Sequence, residues 1–600
     1  MAHHIHDPAS PTRRRALLTT AGLGALGASA LVSGPPAFAS AFASPFTAPL
    51  ATPLTGSHLA FTPVPVARKD GVTVPEGYTV RVLAPWGAPT GPRSPRWRSD
   101  ASDTATAAVR QVGTGHGGVQ YMPLTPSHDG NRRGLLVLSH ATADPVLLHA
   151  DGGQSATAAR TAKEMASLGV TVLRVELSDG RWRVRADELN RRLTPSSPVA
   201  FSGPLEGHSA LETGAEALGV LGGFAHAATP WNTFLTGEDT IADAFGTDDR
   251  RWRPAPGQER YGLAADSSAY GWHAHQPRFD LAETPDEAHR FGWIVEVDPF
   301  TPDAAPVKRT ALGRLAARGA AVTESRGHAV VYLSDDTHLY KFVTARPWRD
   351  SRSATTSPLD EGTLHAARLD ANGTGTWIPL VHGREGLRAA FRDQADVLLR
   401  AREAADAVGA TALERPGRPA VHPVTGTVYC PESAGPGGGR ILAWTEGAGD
   451  HGAAVMSWRE FARPGQGTDA GASVFGAPGG VHCGVDGRLW ITTDVSDVAD
   501  RDRRARLGNS ALLCADPETG EVRRFLTGPP GCAISGVSST PDQGTLFVTV
   551  HGPGSAGPGG DGPTARDPRA VSNWPGFDPR GRPRSAVVVV SRRDGGRIGT

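Results

Sequence analysis

The chain has 600 residues, 39% hydrophobic and 20% charged, the balance of a folded, water-soluble protein long enough to bury a sizeable core. Lysine plus arginine equals aspartate plus glutamate at 61 each, which excludes the broad basic field that non-specific binding to nucleic acid or an anionic membrane needs. Glycine at 74 and proline at 49 favour turn-rich, β-dominated structure.

The first segment is of a different kind from the rest. Thr12-Arg13-Arg14-Arg15 precedes a small-residue apolar run from Ala16 to Val32, and Ala37-Phe38-Ala39 supplies an A-x-A cleavage pattern before Ser40. The run is too short and too rich in glycine and alanine to span a bilayer, so residues 1–39 read as a signal peptide rather than an anchor. The adjacent arginines point to the twin-arginine route, and so to a periplasmic, cell-wall or secreted protein. Residues 40–70 are rich in proline, alanine, threonine and serine and read as a flexible linker, leaving 71–600 for the fold, which is expected to start near Val74.

Short β-branched or aromatic runs closed by turn residues then follow: Leu135–Leu138, Val170–Val175, Ile294–Val297 and Ala329–Leu333. Residues 389–407 carry Phe391, Val397, Leu398 and Leu399 among charges and predict one inserted amphipathic helix. Beyond it, turns precede apolar strands at Pro423–Gly426, Asp486-Gly487, Pro517–Gly520 and Pro541–Gly544. Repeats of this kind suit propeller blades, although their unequal lengths leave a sandwich or mixed β architecture open. Cys430, Cys483, Cys514 and Cys532 lack C-x-x-C spacing and read as buried thiols or one structural bridge.

The segment Arg290-Phe291-Gly292-Trp293-Ile294-Val295-Glu296-Val297-Asp298-Pro299-Phe300, with Lys308–Arg314 after it, resembles the signature of the PhoX-type alkaline phosphatases. Val74–Tyr78, Asn190–Thr194, Thr229-Pro230-Trp231, Tyr340-Lys341-Phe342 and Ser572–Pro575 are similar to the family in order and spacing. The resemblance implies a six-bladed β-propeller with inserted helices and long loops. It also implies a monomeric exported phosphomonoesterase, with a small phosphate ester as substrate and the twin-arginine translocase as partner during export. Its central site would contain calcium and iron, whose oxygen ligands suit polarising and clamping a phosphoryl group.

Carried onto this chain, the resemblance makes Glu238 and Asp239 candidate metal ligands, together with Glu296, Asp335, Asp336 and the nearby donor His226. Glu296 lies in an apolar strand, where a buried carboxylate needs a cation or hydrogen-bond partners. Arg415 matches the family's phosphate-contacting arginine, and with Glu296 it is the candidate catalytic pair. His140 reads as a hydrogen-bonded structural histidine.

Several ligand positions depart from the family. Asn-His-Glu becomes Ser139-His140-Ala141, the cysteine iron ligand falls at Phe224, and Arg-Pro-Glu-Asp becomes Arg415-Pro416-Gly417-Arg418. Ser-Pro-Asp-Asn becomes Ala477-Pro478-Gly479-Gly480, and Gly-Cys-Glu becomes Gly531-Cys532-Ala533. Each lost carboxylate removes a metal bond and a compensating charge, so a full iron and calcium cluster is not expected. Replacement donors at His226, His482 or Asp494 would keep a reduced site. Three functional readings follow: a phosphatase with a reduced or different metal centre, a catalytically silent propeller that binds a ligand or protein, or an enzyme of changed substrate.

Overall fold

The structure, a computed structural model, describes residues 59–600 apart from 256, 267, 352–355, 385, 436, 465–474, 556 and 558–561. The expected signal peptide and residues 40–58 of the expected linker lie outside the described residues.

The described chain is a β-propeller of six blades. Four strands form blade 1: His116–Pro123, Arg133–His140, Gly169–Ser178 and Arg181–Val184. Blade 2 is built on His226–Ala228, Phe234–Gly237, Ile294–Val297 and Val307–Arg309, with Ala200–Ser202 added in parallel at its edge. Gly319–Ser325 opens blade 3, Ala420–Val421 opens blade 4 and Pro478–Cys483 opens blade 5. Strand Thr374–Pro379 pairs with the outer strands of both blade 3 and blade 4 and joins them into one sheet. Blade 6 takes three strands from the C-terminal end, the innermost being Ala533–Ser539, and its fourth from the N-terminal side, where Tyr78–Leu83 pairs with Ala586–Arg592. That pairing ties the two ends of the described chain into one sheet, so opening the ring means breaking a ladder rather than parting a loop.

Period-2 alternation explains how the blades stack. Along His328–Ser334, Ala329, Val331 and Leu333 enter the apolar layer shared with blade 2, while Val330 and Tyr332 enter the layer shared with blade 4. Leu135 and Val137 likewise face blade 2 while Leu136 and Leu138 face blade 6. Every blade is therefore apolar on both faces, which is why these strands read as continuous hydrophobic runs. The innermost strands touch their neighbours all the way round.

Two expectations need correction. Residues 59–70 do not behave as a linker: Leu59, Phe61 and Val64 are buried, and the Ala60 and Val64 N–H groups donate to the carbonyls of Gly599 and Arg524. Composition concealed this because the apolar residues are few and spaced among prolines. The helix expected over 389–407 is three short helices, Leu387–Ala390, Gln394–Leu399 and Ala401–Ala407. Asp393 is extended and caps the second by accepting from the Asp396 N–H at 2.9 Å, and Arg400 leaves helical geometry between the second and third. The four cysteines are free thiols. No described helix is long and apolar enough to cross a membrane.

Candidate functional site

The innermost strands run in the same direction, so their N-terminal ends share one mouth of the propeller. Phe224, Arg318, Gly417 with Arg418, Ala477 with Gly479, and Ala533–Ser535 all stand at or just before the start of an innermost strand. They line one cavity of about 70 Å³, together with Arg415, Ser433, Thr492 and Asp494. Phe224, Arg415, Gly417, Arg418, Ala477, Gly479 and Ala533 in this lining belong to segments in which the sequence departs from the family's ligand pattern, whereas Ser139-His140-Ala141 does not line it. A second cavity of about 410 Å³ adjoins it, since Asp494 and Ala533 line the first while their chain neighbours Val495, Ser496 and Cys532 line the second.

The smaller cavity is rich in positive charge. Arg318, Arg415 and Arg418 face one carboxylate in the described lining, Asp494, which accepts from the Ser496 hydroxyl at 2.5 Å. Arg415 adopts a left-handed backbone with φ 58°, and its carbonyl is held by the Ser433 N–H at 3.1 Å. Arg418 is 8% exposed, and its Nε and Nη2 are buried with no hydrogen-bond partner. Burial lowers its pKa to about 10, which leaves the guanidinium charged at neutral pH.

Neutral imidazoles surround this charge. His226 hydrogen-bonds the Phe224 carbonyl through Nδ1 at 2.9 Å and leaves Nε2 buried without a partner. The Nε2 of His482 is likewise unpartnered. Burial and the Arg418 charge hold His226 well below its usual range and push His482 down to about 3. Asp239 accepts from the Phe224 N–H at 3.4 Å, and burial raises its carboxyl to about 6 against the opposing charge of Arg318.

Four of the expected ligands are placed elsewhere and already engaged. Glu238 is fully buried in an ion pair with Lys308 at 2.9 and 3.1 Å and also accepts from the N–H groups of Leu221, Gly292 and Trp293. Glu296 accepts from Trp231 Nε1 at 2.7 Å, Thr233 Oγ1 at 2.5 Å, Ser357 Oγ at 3.1 Å and Arg309 Nε at 2.6 Å. Asp335 accepts from the N–H groups of Thr337 and His338 and from the Tyr340 hydroxyl, with Arg402 Nε at 3.4 Å. Asp336 pairs with Arg402 at 3.3 Å and Arg260 at 3.6 Å. The cations that these carboxylates need come from the protein. His140 is a structural histidine, bonded to the Thr114 carbonyl and to Thr171 Oγ1 at 2.6 Å. Of the expected set, Arg415, His226 and Asp239 lie at or beside the cavity; the other four residues do not.

The donor set does not fit the calcium and iron that the resemblance implies. Among the described residues no three or more His, Cys, Asp or Glu side chains are grouped to hold a metal ion. The backbone has also closed over ligand positions: a Cβ at Gly417 would stand 2.1 Å from the Gly479 carbonyl oxygen, so a carboxylate side chain has no root there. Beside a cation, the charge of Arg418 would add repulsion where the family supplies compensation.

In the sequence Arg418 stands out only as an unwelcome charge, Arg318 carries no signal, and Asp494 is no more than a replacement donor. What unites them is position at the strand ends of one mouth: Arg318 and Arg418 stand one and two residues before an innermost strand, and Asp494 directly follows the second strand of blade 5, a register visible only once the blades are counted.

Comparison with known proteins gives a consistent result. The family model of alkaline phosphatase PhoX matches residues 59–554. Among solved structures, Pseudomonas fluorescens PhoX in complex with vanadate, a transition state analogue, superposes with a TM-score of 0.82 at 35% identity, over 90% of this chain and 99% of that one. A structure of U3-55K follows at 8% identity and a TM-score of 0.30, covering 80% and 97% of the two chains. A glucose dehydrogenase gives 12% identity and 0.21, covering 80% and 82%. Curated proteins gave no match.

Proposed function

The chain belongs to the PhoX alkaline phosphatase family, and from that membership we propose that it binds the phosphoryl group of small phosphomonoesters in the axial cavity and hydrolyses the ester there. The observation that carries this reading is the convergence of Arg318, Arg415 and Arg418 on one cavity at the propeller mouth. A phosphomonoester is a dianion, and guanidinium planes pair with its oxygens through charge-assisted hydrogen bonds that strengthen as charge moves onto the leaving oxygen. The relative at 35% identity was captured with vanadate, whose oxygen shell imitates a phosphoryl group in transfer.

Asp494 orients the attacking water as general base, with the Ser496 hydroxyl fixing its carboxylate. The alcohol portion of the ester extends into the adjoining cavity of about 410 Å³, where Arg68, Arg501 and Arg504 favour one carrying negative charge. The protein acts outside the cytoplasm after export by the twin-arginine translocase; the Arg13-Arg14 pair and the cleavage pattern at Ala37–Ala39 support this.

The test is hydrolysis of an aryl phosphate by the purified mature protein, with Arg415→Ala and Asp494→Asn in parallel. The expected result is turnover that each variant lowers at least tenfold. Turnover unchanged in both would reject the axial cavity as the active site. A second reading, phosphate-ester binding without turnover, is favoured by the glycine, alanine, arginine and phenylalanine that stand at the family's ligand positions. Retained phosphate binding with no hydrolysis in the folded protein selects it.

A further inference from the structure

We propose that Arg418 binds a tetrahedral oxyanion, orthophosphate or the phosphoryl group of a monoester, directly through Nε–H and Nη2–H and without a bridging metal ion. The proposal rests on the phosphoryl reading above and deepens it: where the family's resemblance implies cations, this chain has placed the positive charge on its own side chains.

The two unpartnered nitrogens of Arg418 are Nε and Nη2, which share one edge of the guanidinium. Their N–H bonds point in parallel, the fork that pairs bidentately with two oxygens of a phosphate or carboxylate. The rest of the residue is fixed. Its N–H donates to the Gly479 carbonyl at 3.1 Å, its carbonyl accepts from the Val481 N–H at 3.0 Å, and the preceding Gly417 N–H donates to Pro431 at 2.8 Å. Blades 4 and 5 therefore grip the backbone at the root of the side chain from both sides.

Burial makes the open fork informative. A guanidinium at 8% exposure has lost most of its water, and a buried charge without acceptors costs several kcal/mol, so the site is built for an anion to complete. Among the described residues no carboxylate forms an ion pair with Arg418. Asp239 lies beside Arg318, and Glu432, its neighbour on blade 4, is paired with Arg440 and accepts from the Glu414 N–H at 3.0 Å. The adjacent imidazoles of His226 and His482 are neutral and so neither compete with the anion nor repel the arginine.

Size is consistent. About 70 Å³ is several times the ~10–15 Å³ that one water needs, and a tetrahedral oxyanion takes the room of a few waters. Arg318 and Arg415 line the same cavity and add to its positive charge. The glycines at 417, 479 and 480 belong to the same arrangement. A Cβ on Gly480 would come 3.4 Å from the Arg418 Cβ and 3.7 Å from its Nε, which places this glycine against the arginine side chain.

The experiment titrates orthophosphate into the mature, full-length protein by calorimetry after exhaustive dialysis against EDTA, with iron and calcium content measured by mass spectrometry. The expected result is one phosphate site in metal-depleted protein, with the same Kd after added calcium or iron. Phenylphosphonate, a non-hydrolysable monoester mimic, distinguishes the two ligand sources: competition with phosphate at this site assigns it to the phosphoryl group of an ester as well as to the free ion. Losing two charge-assisted hydrogen bonds in Arg418→Gln should weaken phosphate roughly 30- to 100-fold, with Arg418→Lys between the two. Phosphate binding that appears only after calcium or iron is added overturns the proposal on the parent protein, without recourse to a variant. An Arg418→Gln protein that melts like the parent and binds phosphate equally well also overturns it. Turnover that depends on metal would sink this proposal and leave the phosphatase reading standing; metal-independent phosphate binding without turnover does the reverse.

Discussion

Replacing Glu238 by glutamine separates a structural ion pair from a metal ligand. The carboxylate and Lys308 are both fully buried at 2.9 Å, and the ammonium otherwise has the Arg290 carbonyl at 2.6 Å and the Phe291 ring at 4.0 Å. Glu238→Gln keeps the shape but has one acceptor oxygen, so it can hold the N–H groups of Gly292 and Trp293 only by turning its own amide N–H toward that of Leu221, and it strands the charge of Lys308, a loss of roughly 3–5 kcal/mol for a broken buried pair. With ~2.1 cal/mol/K of unfolding entropy per residue over the roughly 540 residues from 59 to 600, the melting midpoint should fall by about 3–4 °C. Burial already lowers the Lys308 pKa, and without Glu238 it falls further below the unfolded value. Unfolded chains then bind more protons than folded ones between the two values, so the deficit should shrink as pH rises from 7 to 10. Adding Lys308→Met removes the stranded charge and should recover most of the loss. Differential scanning calorimetry in EDTA and in millimolar calcium provides the assay. A Glu238→Gln midpoint equal to the parent in EDTA, with a deficit appearing only in calcium, would refute the argument and restore the ligand role.

Other outcomes follow from the same geometry. His116, His140, His226 and His482 are held neutral by burial, with His116 and His482 near 3, so their folded pKa values lie below the unfolded one of about 6.5. Stability is therefore complete above pH 7 and lost as pH falls through 6.5 and below, by about 1.4 kcal/mol per imidazole at pH 5.5; a melting temperature that is flat from pH 7.5 to 5 would contradict it. Gly417→Glu, which reinstates the family's acidic residue, should destabilise the fold by at least ~2 kcal/mol because of the 2.1 Å approach to Gly479, and should not confer calcium binding in calorimetry. Arg13→Lys with Arg14→Lys should retain the precursor in the cytoplasm, read by fractionation and immunoblotting; export unchanged in a strain lacking the twin-arginine translocase would exclude that route.

Strand positions were legible because both faces of each blade are buried, so Leu135–Leu138, Val170–Val175, Ile294–Val297 and Ala329–Leu333 stand out in any window. Turns such as Pro541–Gly544 carry their own local chemistry and were legible for that reason. Burial of Leu59, Phe61 and Val64 was not, because nothing local marks a proline-rich segment that packs on a blade closed by the other end of the chain. The breaks at Asp393 and Arg400 were hidden too, since a capping side chain and a helix interior residue look alike in a periodic pattern.

For the site, the sequence by itself determined that a buried carboxylate such as Glu296 must have a cation or donors, and that acidic groups are missing at the family's ligand positions. It did not determine which cation. Arg309, Lys308 and Arg402 stand 13, 70 and 67 positions from Glu296, Glu238 and Asp335 respectively, and only the closing of blades and insertions brings them within reach. The family signature therefore marks scaffold pairs in this chain. Tertiary structure alone decided that Arg318, Arg415, Arg418 and Asp494 share one cavity, because a propeller gathers at one mouth strand ends that are far apart in sequence. Charge at that mouth depends on which strand end each residue adjoins, and on no property of the segment that contains it.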